Sequence, residues 1–532
     1  MKTAPVCLYD TTLRDGAQGK GISFSPGGKL KVAKALDAFG IDLIEGGYAA
    51  SNPKDVAFFT DVKRLELKHA RIAAFGSTRR ARLSPADDAG CAALLAADTP
   101  VCTIFGKSWT LHVTEVLRTT EDENVAMIAD TVDWLRQHDR EVVYDAEHFF
   151  DGYKDNPEYA LRTLAAAKDA GASVLVLCDT NGGTLPHEVY AITSAVEKAL
   201  DFPIGIHAHN DGGCGVANSL EAIRAGAVHL QGTINGYGER CGNADLVPVI
   251  ANLKLKLGAA FAADLPMEKL TELSMAVHEL ANQRPNPKAP FVGDHAFAHK
   301  AGMHVDGVRK VAHSFEHVPP ESVGNGRHVL ISELAGGSNV LLKILDMGVQ
   351  VDKSSPEVRN VLKELERLEK EGYEFEGADA SFHMLVQKVL KSHRSFFETE
   401  GYRIINEHRQ KDGETVAEAS VKIRVDNESE YTVAEGDGPV DALDKALRKA
   451  LARFFPAIAE VRLTDFRVRI LDPEQSTRAK TRVLIESTDG HRTWNTVGVS
   501  ENLIEASWEA LVESVEYKLF LDESAAEAEP DA

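Results

Sequence analysis

Two histidines, His207 and His209, stand two residues apart at the end of the apolar run Phe202, Ile204, Ile206. Side chains on a β-strand alternate between faces, so both imidazoles point to one side. Two imidazoles on one face can share a divalent metal ion. Alone, the pair reads rather as two separately satisfied histidines, and other residues must decide. Asp15, after the first apolar run, is a candidate oxygen ligand; alternatively it pairs with a helix start. Asn243, in Gly238-Glu239-Arg240-Cys241-Gly242-Asn243, can add a carbonyl oxygen directly or through water; alternatively it is a turn residue. Two imidazoles and one carboxylate form a facial set that leaves positions open for substrate oxygens and water.

Further candidates surround that set. Arg14 offers a forked, permanently charged donor that could hold a carboxylate or an enolate oxygen. Thr180, in a Gly-rich loop, could donate to a bound carboxylate or simply form a turn. Glu147 could move a proton if its surroundings tune it, or pair with a basic residue. Asp145 and Phe105, at strand ends, are candidate pocket walls or core residues.

These residues come from distant parts of the chain, so the elements that carry them must converge. Eight short apolar runs occur before residue 260: Val6–Leu13, Ile41–Gly47, Ala70–Phe75, Val101–Phe105, Val142–Glu147, Val174–Cys178, Ile204–His209 and Leu230–Asn235. Helical patterns separate them, among them Gly28–Phe39, Val125–His138, Pro157–Ala170, His187–Leu200 and Val216–Ala225. The repeat is about thirty residues, the size of one βα unit. Eight such units predict a closed (β/α)8 barrel, whose active sites lie at the C-terminal strand ends. An open doubly wound sheet is the alternative, usually with fewer strands. The candidates fall at strand ends one, four, five, six, seven and eight, and the first and last adjoin when the barrel closes.

The chain of 532 residues calls for two or three domains. Residues 1–264 are assigned to the barrel and 265–390 to a helical linker region covering the site, with helices at Met267–Gln283, Pro356–Glu371 and Ala380–Lys391. An α+β domain with an internal repeat is assigned to 391–522, and an acidic disordered tail to 523–532. The repeat shows in Thr432–Gly436 before the helix Val440–Leu451, echoed by Thr496–Ser500 before Ile504–Leu519. No catalytic constellation falls there, so regulation or dimerisation is the expected role.

A net charge of -22 argues against nucleic acid, which needs clustered Lys and Arg. No apolar run is long enough to span a bilayer, and the N-terminus has no signal-like apolar region. Six scattered cysteines without a C-x-x-C pattern suit reduced thiols, and the expectation is a cytoplasmic protein.

The segments Leu8–Gln18, Glu45–Asp55, Cys178–Pro186, His207–Ser219, Gly232–Asn243 and His299–Gly307 occur here as ordered motifs. Through them the chain resembles the 2-isopropylmalate, homocitrate and citramalate synthase family, the acyl-CoA-condensing members of the DRE-TIM metallolyase superfamily. Glu45–Asp55 and Glu147–Gly152 look most like the citramalate synthase branch. The resemblance implies condensation of acetyl-CoA with pyruvate to (R)-citramalate in isoleucine biosynthesis. It implies Asp15, His207, His209 and Asn243 as metal residues, Arg14 beside the keto acid and enolate, and Thr180 on its carboxylate. Glu147 and His304 match residues implicated in proton removal, with Asp306 nearby in the substrate site. Mn or Mg is the implied metal, with Zn or Co as alternatives. Isoleucine is the implied feedback inhibitor, and a homodimer the implied assembly. The alternatives are a 2-isopropylmalate or homocitrate synthase with a larger keto acid, or a lyase running the reverse cleavage. Three positions depart from the branch's pattern: Tyr48-Ala49-Ala50, Phe315 before Glu316, and Gly337 before Ser338-Asn339.

Overall fold

The computed structural model describes residues 4–49, 53–299, 307–308, 310–329, 344, 356–375, 377–390, 394–408, 415–471 and 479–528. Eight parallel strands close into a barrel in sequence order: β1 Cys7–Asp10, β2 Leu43–Tyr48, β3 Arg71–Ser77, β4 Val101–Lys107, β5 Glu141–Glu147, β6 Val174–Asp179, β7 Ile204–Ala208 and β8 His229–Gly232. Closure pairs β1 with β8, Cys7 opposite His229 and Asp10 opposite Gly232.

Period-two alternation divides each strand between two cores. Tyr9, Leu43, Ala73, Val101, Val143, Val176 and Cys178 pack together in one cluster. Their neighbours Leu8, Ile44, Ile72, Cys102, Val142 and Leu175 belong to the larger cluster shared with helices, such as Val32, Leu36, Ile128 and Leu164. Counting onward in twos from the first set gives Glu45, Thr103, Asp145 and Thr180, so the inward row turns polar toward the C-terminal ends.

The helices begin on local signals. Ser25 accepts from the Gly28 N–H ahead of Pro26–Phe39, with Pro26 in the first turn. Thr120 caps Glu121–Gln137, whose first turn carries Glu121, Asp122 and Glu123 against the helix dipole. Helices at Pro53–Asp61, Ala89–Ala96 and Leu246–Leu255 complete the units that showed no clear helical pattern in sequence, and Phe149–Asp155 adds a second helix after β5.

Two compact units are present. The first runs to Phe297 and takes in His317–Arg327, past the boundary expected at 264. The reason is burial: Leu270, Leu273, Val277, Phe291, Phe297 and Val323 all join the barrel's apolar cluster. The helix expected over Met267–Gln283 is a 3-10 turn, Met267–Lys269, followed by an α-helix, Leu270–Leu280.

The second unit comprises Ala298–Glu316 and His328 onward. It holds helices Pro356–Glu371 and Asp379–Val389 and two three-stranded antiparallel sheets. Glu398–His408, Thr415–Val425 and Glu428–Gly436 precede the helix Pro439–Leu451; Arg462–Ile470, Thr481–Thr488 and Thr493–Ser500 precede Leu503–Ala528. The internal repeat extends to single atoms. Thr432 Oγ1 donates to the Ala446 carbonyl at 2.7 Å, and Thr496 Oγ1 donates to the Ala510 carbonyl at 2.7 Å. The last helix continues through Ala528, into the segment expected to be a tail; Ala and Glu are strong helix formers and extend it. No helix among the described residues is long and apolar enough to cross a membrane.

Candidate metal centre and active site

Asp15, His207 and His209 are buried and bring their ligand atoms within 4.8 Å of one another. Asp15 Oδ2 lies 3.3 Å from His207 Nε2 and 3.9 Å from His209 Nε2, and the two Nε2 atoms are 3.4 Å apart. His207 is the last residue but one of β7, while His209 lies just beyond the strand in an isolated bridge with Asn243. The extended backbone keeps both rings inward, as the spacing predicts. Asp15 comes from the turn after β1, ahead of the 3-10 turn Gly16–Gln18, rather than from the strand itself.

Ligand atoms about 2.1 Å from a common centre stand roughly 3.0–3.4 Å apart in octahedral or tetrahedral sites. The three donors fall near that spacing. Asn243 adds a second sign. Its Nδ2 donates to the Tyr237 carbonyl at 3.1 Å, while its buried Oδ1 has no hydrogen-bond partner. Gly238, at φ 151°, makes room for that amide: a Cβ there would stand 2.2 Å from Asn243 Nδ2. Asp15, His207 and His209 therefore fit a divalent cation with open positions, and Asn243, bridged to His209, carries an unpartnered oxygen suited to the same ion.

The electrostatics agree. Burial opposes ionisation of Asp15, but Arg14 and His207 outweigh it and hold the carboxyl well below the usual range. Burial also disfavours a charged His207, yet Asp15 outweighs burial and raises its pKa. Burial and the neighbouring His207 push His209 down to about 4. One carboxylate thus faces two imidazoles in a site where a cation can take the place of a proton.

Arg14 reaches the same point from the other side. Its NH1 is 3.2 Å from Asp15 Oδ2, its Nε donates to Glu45 Oε2 at 2.5 Å, and its guanidinium lies 3.8 Å from the Phe75 ring centroid. Glu45 is wholly buried and also accepts from the Tyr9 hydroxyl at 2.7 Å. Tyr9 in turn sits 2.7 Å from Thr103 Oγ1. Arg14 is therefore fixed by a buried carboxylate and a ring face, with its charge directed at the mouth.

A cavity of about 240 Å³ is lined by Arg14, Asp15, Tyr48, Phe75, Phe105, Asp145, Glu147, Thr180, His207, His209 and Arg240, among others. It gathers the residues singled out from β1, β4, β5, β6 and β7. Thr180 Oγ1 accepts from the His148 N–H at 2.9 Å. Glu147 pairs with Lys107 Nζ, the basic partner that was its alternative reading. Burial raises Asp145 to about 7, with His207 and Arg14 opposing. His304 and Asp306 lie outside the described residues, as do Ala50 and Gly337. Phe315 is described and exposed. Glu45, Lys107, Gln231 and Arg240 were not singled out from sequence. The signal for Glu45 and Gln231 was available, since each lies on the inward row of its strand.

Fold and site together define a (β/α)8-barrel protein with a candidate metal centre at the C-terminal mouth. Three family models match the chain: HMGL-like over residues 5–277, the homocitrate synthase post-HMGL domain-like model over 291–372, and the LeuA allosteric (dimerisation) domain over 376–519. The chain is 51% identical to the (R)-citramalate synthase of Geobacter sulfurreducens, over 97% of this chain and 98% of that protein. It is 48% identical to the (R)-citramalate synthase of Sulfolobus acidocaldarius, over 98% of both. The 2-isopropylmalate synthase of Methanocaldococcus jannaschii is more distant, at 29% over 96% of this chain and 94% of that protein. The chain belongs to the HMGL-like family, in the group of the (R)-citramalate synthases.

Proposed function

We propose that this protein condenses acetyl-CoA with pyruvate to give (R)-citramalate and CoA. The observation that carries the proposal is the open Asp15, His207, His209 set beside Arg14 in one cavity; relatives of that name at 51% identity over nearly the whole chain support it. Asp15, His207 and His209, with Asn243, would hold a divalent ion, Mn or Mg, which would supply Lewis-acid polarisation of the keto group.

The protein's own groups do the rest. Arg14, held by Glu45, presents N–H donors where the keto oxygen gains charge. Thr180 already accepts from His148, so its own proton is available for the keto-acid carboxylate. Glu147, or His304 as the resemblance implies, takes a proton from the acetyl methyl. That carbon bonds to the keto carbon, and the keto oxygen takes the electron pair and then a proton. Water cleaves the thioester, leaving a second carboxylate and free CoA thiol.

The match to an allosteric dimerisation domain supports a homodimer and an effector response, with isoleucine as the proposed inhibitor. The six free cysteines suit a reducing cytoplasm. Thiol release from acetyl-CoA, measured with pyruvate, 2-oxoisovalerate and 2-oxoglutarate, tests the assignment. Pyruvate is expected to give the highest kcat/KM. Preference for 2-oxoisovalerate would make the protein a 2-isopropylmalate synthase instead. Isoleucine at saturation is expected to slow the pyruvate reaction; an unchanged rate would remove the proposed effector.

A further inference from the structure

Behind the metal centre lies a buried polar chain. His207 Nδ1 is 2.9 Å from Gln231 Oε1. The two residues sit opposite one another in the β7–β8 register. On its other side the Gln231 amide Nε2 donates to Asp145 Oδ1 at 3.0 Å and lies 3.5 Å from His229 Nε2. Gln231 is fully buried, and Asp145 and His229 are nearly so.

We propose that Gln231 and Asp145 are positioning residues of the metal centre: Asp145 orients the Gln231 amide, whose carbonyl holds His207 in the tautomer that aims its Nε2 lone pair at the metal.

The amide can be assigned from its neighbours rather than from its shape. Its two ends face different chemistry. One meets a ring nitrogen; the other meets the Asp145 carboxyl and His229 Nε2. Burial drives the His229 pKa down to about 3, so that ring is neutral. A neutral ring lets Nε2 accept and an ionised Asp145 can only accept, so the NH₂ falls on that side. The carbonyl must then face His207, where it can only accept. His207 Nδ1 therefore carries a proton, which leaves Nε2, the nitrogen facing Asp15 and His209, as the one a cation can take. With the amide reversed, the NH₂ would compete for the Nδ1 lone pair, and the ring's proton would fall on Nε2, where a cation must bind. Partners of this kind set ring orientation and ligand basicity, and their loss weakens metal binding by about 10–100-fold.

The inference rests on the reading of Asp15, His207 and His209 as a metal site, and its test separates the two. Mn²⁺ binding to the full-length protein without substrates is followed by the free-ion EPR signal. Q231M keeps the side-chain volume and removes the acceptor; Q231E restores an acceptor for Nδ1–H. Expected are a Kd raised about 10–100-fold in Q231M and a Q231E value within about threefold of wild type. Should Q231M not fold, Q231N, which withdraws the amide by one methylene, takes its place and is expected to weaken binding. Wild-type affinity in Q231M or Q231N would overturn the positioning role and leave the metal site standing. So would a Q231E as weak as Q231M. No Mn²⁺ binding by the wild-type protein would overturn the metal-site reading, and the positioning role with it.

Discussion

Glu45 bears on Arg14 more than any other residue, and E45Q is the sharpest test of how the arginine is placed. Glu45 is completely buried and takes two donors, Arg14 Nε at 2.5 Å and the Tyr9 hydroxyl at 2.7 Å. The substitution keeps shape and one acceptor and removes the charge. Two unit charges about 4 Å apart interact by about 4 kcal/mol at an effective dielectric constant of 20. Breaking a buried pair costs about 3–5 kcal/mol, because the remaining charge is left uncompensated. Arg14 then has Asp15 as its remaining carboxylate, 3.2 Å away. Drawn toward it, the guanidinium competes for a metal ligand and leaves the position where the oxyanion forms. Loss of one such donor costs about 10²–10³ in kcat. Thiol-release kinetics with pyruvate are expected to show a fall of that size, mainly in kcat, and thermal unfolding a lower Tm. R14K is expected to match it, and E45Q combined with R14K to cost little more than either alone, because the residues act as one unit. An E45Q enzyme within twofold of wild type in kcat, or an additive double mutant, would refute the reasoning.

Other expectations follow from particular groups. Asp10 is wholly buried, and burial raises its pKa to about 7 despite hydrogen bonds from Thr12. The folded state then holds a proton that the unfolded chain releases near 4, so stability falls as pH rises toward 7, by on the order of 1 kcal/mol per unit; unfolding from pH 5 to 8 should be flatter in D10N, and an unchanged slope would assign the dependence elsewhere. T432V and T496V each remove one of the matched hydroxyl-to-helix bonds and should each destabilise the second unit by about 1 kcal/mol in urea unfolding, with basal kinetics unchanged. T180V should raise the KM for pyruvate more than it lowers kcat, because its hydroxyl is assigned to the carboxylate; a change confined to kcat would move Thr180 into the chemistry.

Much of this was legible in the residue order. Eight apolar runs at βα spacing led to the closed barrel, and His207 with His209 led to one face of one strand. The same rule of two was not carried along the other strands. Counting on from Leu43 reaches Glu45, and from His229 reaches Gln231, and both support the site from inside the barrel. Strand ends were less legible, because hydrophobicity continues into buried turns. Leu13 is fully buried, although β1 ends at Asp10. The boundary at 264 came from a change in pattern, whereas burial of Leu270, Val277 and Phe297 extends the barrel unit. The repeat in the second unit was visible in Thr432 and Thr496 because both perform the same task. The bounds of its first strand, Glu398–His408, were not legible, because it carries exposed polar residues among few apolar ones.

The central claim is that Asp15, His207 and His209 hold the ion on which a keto acid is condensed. Its most direct measurement is pyruvate-dependent thiol release after the full-length protein has been stripped with a chelator and dialysed. No release above background is expected, with recovery on adding Mn²⁺ or Mg²⁺ to wild type but not to H207A. Full pyruvate-dependent release by the stripped protein, or recovery in H207A equal to wild type, would contradict it.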